Sequence, residues 1–121
     1  MSKKKKITFL MRKAPHGTIY THEGLEALLI FCTYEQAITL VLMDDGVYVL
    51  KKGQDTMELG TKAFSSAFRV LEDYGVERII VDKTALTERG LTVEDLMIDV
   101  EVLESAEIMA FMKKQEVILP F

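Results

Sequence analysis

The chain has 121 residues, 49% of them hydrophobic and 28% charged, which are ordinary values for one globular domain with a single core. No apolar run approaches the roughly 20 residues that a membrane-spanning helix needs. The formal net charge of −4 argues against strong direct binding of nucleic acid, which calls for a broad basic face.

The sequence opens with four lysines, Lys3 to Lys6, read as a solvated, flexible basic N-terminus over residues 1–5 rather than a phosphate-binding arm. The apolar stretch Ile7 to Met11 is too short for a signal-peptide core and lacks a small-residue cleavage site, so a cytoplasmic protein is expected. Lys6 to Met11 reads as a buried strand that runs into a polar, turn-rich segment. Leu25, Leu28, Leu29 and Cys32 then follow at i, i+3, i+4 and i+7, the spacing of one helical face, with Thr18 or Thr21 as the N-cap.

Ala37 to Met43 is nearly all apolar, as a central parallel strand covered on both faces would be, and Asp44-Asp45-Gly46 ends it. Val47 to Leu50 is expected to add a short extended piece before a polar connection, Lys51 to Gly60. Phe64, Ala67, Phe68, Leu71 and Tyr74 have helical spacing, and Gly75 stands where a left-handed residue would end that helix. Arg78 to Val81 reads as the third strand, followed by a short helix capped by Thr84 and ended by Gly90. Ile98, Val100 and Val102 alternate with Asp99, Glu101 and Leu103 as in an exposed edge strand. Ser105 is the expected cap of a last helix to Lys114, and Val117 to Leu119 closes the chain. Strands alternating with helices predict one α/β domain over residues 1–121, a three-layer α/β/α arrangement around a mostly parallel sheet.

No phosphate-binding loop, dinucleotide fingerprint, serine-hydrolase elbow or paired metal-spaced histidines are present, so neither a metal nor a cofactor is expected. Three local features remain, two of them at strand ends, where open α/β sheets build their sites, and one on the first helix. The loop Ala14-Pro15-His16-Gly17-Thr18 can present an imidazole; with only His22 within reach as a second ligand, His16 is read as a hydrogen-bonding or partner-contacting residue. Asp44-Asp45-Gly46 is read as a turn rather than a cation site, because neighbouring strand residues point to opposite faces. Cys32, the only cysteine, excludes an internal disulfide and can carry a persulfide in principle. Its place on an apolar helix face, near the helix C-terminus, disfavours the thiolate, so it is read as buried and inert.

Ala14-Pro15-His16-Gly17-Thr18 followed by Glu23-Gly24-Leu25-Glu26-Ala27-Leu28-Leu29 resembles the opening of the TusC/DsrF family. Asp45-Gly46-Val47, Leu86-Thr87-Glu88-Arg89-Gly90-Leu91 and Val117-Ile118-Leu119-Pro120-Phe121 resemble its later motifs, in order and over the whole chain. The resemblance implies a DsrEFH-like, flavodoxin-like fold with a five-stranded parallel sheet. It also implies membership of a complex of three related subunits that passes persulfide sulfur between carriers, for tRNA 2-thiouridine synthesis or for sulfur oxidation. The partners implied are DsrE/TusD-like and DsrH/TusB-like sister subunits or further copies of the chain, and a sulfur-carrier protein; no membrane is involved.

In that family the sulfur-accepting cysteine belongs to the DsrE/TusD-like sister. Anchoring on Arg89-Gly90 places Asp82 at its position here, and a carboxylate cannot hold a persulfide. The expected role is therefore a non-catalytic subunit that offers contact surfaces from Pro15, His16, Gly17, Asp45, Gly46 and Arg89. The competing readings are direct sulfur transfer through Cys32 and a stand-alone homo-oligomer that binds a small ligand or anion at the strand ends.

Overall fold

The computed structural model describes residues 5–13, 20–32, 36–51, 71, 73, 75–96 and 98–121. Pro15, His16, Gly17, Thr18, the side chain of His22, and most of the 51–60 connection and of the 64–74 helix lie outside the described residues. Five strands form one sheet: β1 (Lys6–Met11), β2 (Ala37–Leu42), β3 (Val76–Asp82), β4 (Glu101–Leu103) and β5 (Val117–Pro120). Their order is β4-β3-β2-β1-β5 and every pairing is parallel. Parallel neighbours require crossover connections; the helices α1 (Tyr20–Cys32), α2 (Lys83–Glu88) and α3 (Ser105–Met112) lie on these connections.

The alternation of side chains along each strand divides the core in two. Ile7, Phe9, Met11, Ile38, Leu40, Leu42, Ile79 and Val81 face the layer that contains Leu25 and Leu28 of α1. Val41 and Ile80 face the opposite layer, where Ile108 and Met112 of α3 cover them. Five of the six β2 residues are buried, which is why β2 reads as a continuous apolar run. Phe9 is fully buried and holds the first layer together. It meets Phe31 of α1 edge-on, with ring centroids 5.6 Å apart, and stacks on Phe121 at 6.0 Å.

Several local expectations are corrected. The helix already runs at Tyr20, so Thr21 lies inside it and is not its cap. Asp44–Leu50 is a 3-10 helix rather than an extended piece: the Gly46 amide bonds back to the Met43 carbonyl at 2.8 Å, and Val47, Val49 and Leu50 turn into the core. Residues 98–100 are irregular and only Glu101–Leu103 pairs with β3, although β4 is indeed a sheet edge. A 3-10 turn at Val93–Asp95 and an isolated antiparallel bridge from Leu96 to Lys51 direct the chain before it reaches the sheet.

Two caps also differ. Asp82, not Thr84, caps α2: its backbone is extended and its carboxylate accepts from the Thr84 amide. Glu104, not Ser105, occupies the cap position of α3, and its amide donates to Glu107 Oε1 at 3.4 Å. Gly75 and Gly90 have φ of +104° and +66°, the left-handed conformations their positions suggest.

Candidate functional site at the carboxyl ends of the strands

Three consecutive residues after β2 connect the neighbouring strand ends. Asp44 adopts φ 49°, a left-handed conformation that aspartate tolerates better than most residues. Its Oδ2 accepts from Arg12 Nε, just beyond β1, at 2.9 Å. Asp45 Oδ1 accepts from Arg89 Nε at 3.0 Å and lies 2.9 Å from Arg89 Nη2. The adjacent carboxylates thus act as a bracket, one arm on the β1 end and the other on the α2 end. Gly46 is buried, and a Cβ there would run into the Met11 backbone carbonyl; no other residue type fits without moving β1. The Asp-Gly-Val motif is therefore a packing requirement as well as a turn.

Arg89 is held by several partners at this end of the sheet. Besides Asp45 it bonds the Ala85 carbonyl through Nη1 at 3.2 Å and approaches Glu88 at 3.7 Å. Its side chain is only 18% exposed, against 60% for Asp45.

Asp82 ends β3 and is 4% exposed. Its Oδ1 accepts two hydrogen bonds, from the Thr84 amide at 3.1 Å and from the Ser105 hydroxyl at 2.9 Å, with Thr84 Oγ1 a further 3.4 Å from Ser105 Oγ. One carboxylate oxygen therefore ties the start of α2 to the start of α3. Thr84 and Ser105 also line a cleft of about 480 Å³, together with Lys83, Thr87, Glu88 and Glu104. A second cleft of about 410 Å³ lies at the β1 and β5 ends, lined by Arg12, Lys13, Asp44, Pro120 and Phe121. Both have volumes in the range of small-ligand or side-chain sites.

Cys32 closes α1 and is half-buried against the first core layer. Burial pushes its thiol up from the ordinary cysteine value, which opposes nucleophilic use at neutral pH. Among the described residues, no group of three or more His, Cys, Asp or Glu side chains is arranged to hold a metal ion, and no helix is long and apolar enough to cross a membrane.

The structure therefore brings Asp45 and Arg89 together, places Asp82 in a separate buried cluster, and keeps Cys32 on α1. Sequence reading missed Arg12 as the partner of Asp44 and Ser105 as the partner of Asp82. The Ser105 signal was present as a cap-forming residue type at a strand-to-helix junction; only the sheet order, which sets β4 beside β3, shows what it bonds.

Comparison with known proteins agrees with this architecture. A sequence model of the DsrE/DsrF-like family matches residues 5–121. The chain is 42% identical over 131 aligned residues to the "Intracellular sulfur oxidation protein DsrF" of Allochromatium vinosum, covering 97% of this chain and 96% of the relative. It is 37% identical to the "Protein TusC homolog" of Vibrio vulnificus, covering 95% and 98%. In fold it is similar to the E. coli ychN protein, with a TM-score of 0.83 at 23% identity over 97% of this chain and 99% of that one. The chain belongs to the DsrE/DsrF-like family, on its TusC/DsrF side.

Proposed function

We propose that the chain is a non-catalytic subunit of a cytoplasmic sulfur-relay complex of the TusBCD/DsrEFH type. In this reading a DsrE/TusD-like sister carries the sulfur-accepting cysteine, a DsrH/TusB-like sister completes the assembly, and a separate carrier protein exchanges sulfur with it. The pathway served is sulfur oxidation or tRNA 2-thiouridine synthesis. The observation that carries the reading is Asp82: at the strand end where the family resemblance expects the sister's cysteine, this chain has a buried carboxylate with two hydrogen bonds on one oxygen. The DsrF and TusC relatives support relay membership over a stand-alone anion-binding module. Cys32 is a poor competitor for the acceptor role, since burial keeps it in the thiol form.

The contact surfaces in this reading are the 15–17 loop, Asp45 and Arg89, with Gly46 holding Asp45 in place and Arg89 fixing its carboxylate. Co-expression with the DsrE-like and DsrH-like sisters, followed by native mass spectrometry, tests the assembly. A stable heteromer containing this chain is expected; a chain that never leaves its homomeric or monomeric form contradicts the proposal.

A further inference from the structure

Helix α3 is apolar on almost every side. Ala106, Ile108, Met109, Ala110, Phe111 and Met112 make up most of it, a composition expected of a helix covered all round. Ile108 and Met112 turn onto Val41 and Ile80 of the sheet, whereas Ala106, Met109 and Ala110, at i, i+3 and i+4, form an exposed outer stripe. The helix layer is also narrower than the sheet. Five strands at about 4.8 Å spacing set the outer strands about 19 Å apart, and one helix covers about 10 Å. β5 turns Val117 and Leu119 to the α1 layer, so Ile118 faces the α3 side; it is 42% exposed although it aligns with the fully buried Thr8. Phe111 leans towards β3, 4.8 Å from the Arg78 guanidinium, which puts Met109, 50% exposed, on the flank that faces β1 and β5. The charges beside the stripe are segregated. Glu107 stands in the first turn and Lys113 and Lys114 follow the last, all three exposed. Among the described residues no carboxylate pairs with either lysine. Glu107 and Lys114, two helical turns apart, share the flank opposite Met109.

We propose that this face is the contact between two copies of the chain, their α3 helices packed antiparallel about a two-fold axis. The small side chains of Ala106 and Ala110 let the helices approach closely, and Met109 of each copy closes one flank. On the other flank Glu107 of each copy faces Lys114 of the other, twice by symmetry. A parallel arrangement would set Glu107 against Glu107 and align the helix dipoles unfavourably. The occupant is a second copy because the acid and the bases that the contact needs lie on one helix, at the spacing a two-fold axis pairs. The inference rests on this face and does not require the relay reading.

The test is sedimentation velocity of the full chain alone over a concentration series, and a reversible dimer is expected. Met109→Glu, at an exposed position outside both core clusters, and Glu107→Lys should each weaken it by about tenfold or more. The double variant Lys113→Glu/Lys114→Glu should be equally weak by itself. Mixed with Glu107→Lys it should recover a heterodimer, since every acid again meets a base; a variant weakened only by damage to its own fold would not recover. A wild-type chain that stays monomeric up to about 1 mM, a dimer indifferent to Met109→Glu, or a mixture that associates no better than its components overturns the proposal. So does a monomer that joins its sister subunits only while Met109 is intact, which assigns the face to a sister. Because the measurement needs no sister, its failure is distinguishable from failure to form the heteromer.

Discussion

Arg89 grips a single oxygen of Asp45, with Nε at 3.0 Å and Nη2 at 2.9 Å, across 44 residues of sequence. The pair joins the 3-10 turn after β2 to the end of α2, and the guanidinium is mostly sheltered while the carboxylate stays exposed. Loss of Arg89 removes the Ala85 carbonyl bond as well as the ion pair. Arg89→Ala should therefore cost about 1–2 kcal/mol and Asp45→Ala about 0.5–1 kcal/mol. Urea unfolding of the single and double variants measures this, and a double variant whose cost equals the sum of the singles would show that the pair is not coupled.

The glycines separate by mechanism. Gly46→Ala drives a Cβ into the Met11 carbonyl, and backbone cannot move aside cheaply, so a loss of about 3 kcal/mol or more is expected. At Gly75 no described residue lies within 4 Å of an added Cβ, and the positive φ opposes alanine, for about 1 kcal/mol. Thermal unfolding of both variants should show this order; a milder effect at Gly46 would mean that β1 and the turn are not in contact.

Gly24 is the intermediate case. An added Cβ would meet Met11 Cε at 2.9 Å and the Phe121 ring at 3.0 Å, both side chains that can shift. Phe121 itself is bound on both sides by backbone, donating to the Leu10 carbonyl at 2.7 Å and accepting from the Arg12 amide at 3.0 Å. Phe121→Ala should cost about 2–4 kcal/mol through lost stacking on Phe9 and the void beside Gly24, and Gly24→Ala should cost less in the wild-type background than the loss of the ring. Calorimetric midpoints of the two variants decide between them.

The Arg78–Glu101 pair supplies an acid-sensitive contribution. Arg78 Nε and Nη2 reach the two oxygens of Glu101, each at 2.8 Å, and the guanidinium lies 4.8 Å from the centroid of Phe111. The Arg78 hydrogen bonds, ahead of any burial effect, hold the Glu101 carboxyl below its ordinary value. A carboxyl whose folded pKa is depressed contributes stability above its unfolded pKa, near about 4.3 for glutamate, and loses it as pH falls through the folded value. Both side chains are more than a third exposed, so screening limits the contribution to below about 1 kcal/mol. Wild type and Glu101→Gln should differ in stability at pH 7 and converge at pH 3; a difference unchanged at low pH would contradict the assignment.

Sheet class, the positions of β1, β2, β3 and β5, and the faces of α1 were legible in the sequence because burial writes periodicity into it: β2 reads apolar throughout, and Leu25 and Leu28 mark one helical stripe. What was not legible depends on contacts between distant residues. Asp82 as a cap and Ser105 as its donor follow from β3 lying beside β4. The 3-10 path of Asp44–Leu50 brings Gly46 against the Met11 backbone, a contact that a residue string does not encode. The Arg89–Asp45 pairing lies between two motifs that the family resemblance marked separately as surface features. The structure supplies their relationship: one holds the other.

The central claim, that sulfur rests on a sister and not on this chain, is tested most directly by intact mass spectrometry of the co-expressed complex after loading from a persulfide donor, with wild type and Cys32→Ser. A one-sulfur mass increment confined to the DsrE-like sister and unchanged by Cys32→Ser is the predicted result. An increment on this chain that disappears with Cys32→Ser would contradict it and make Cys32 a carrier.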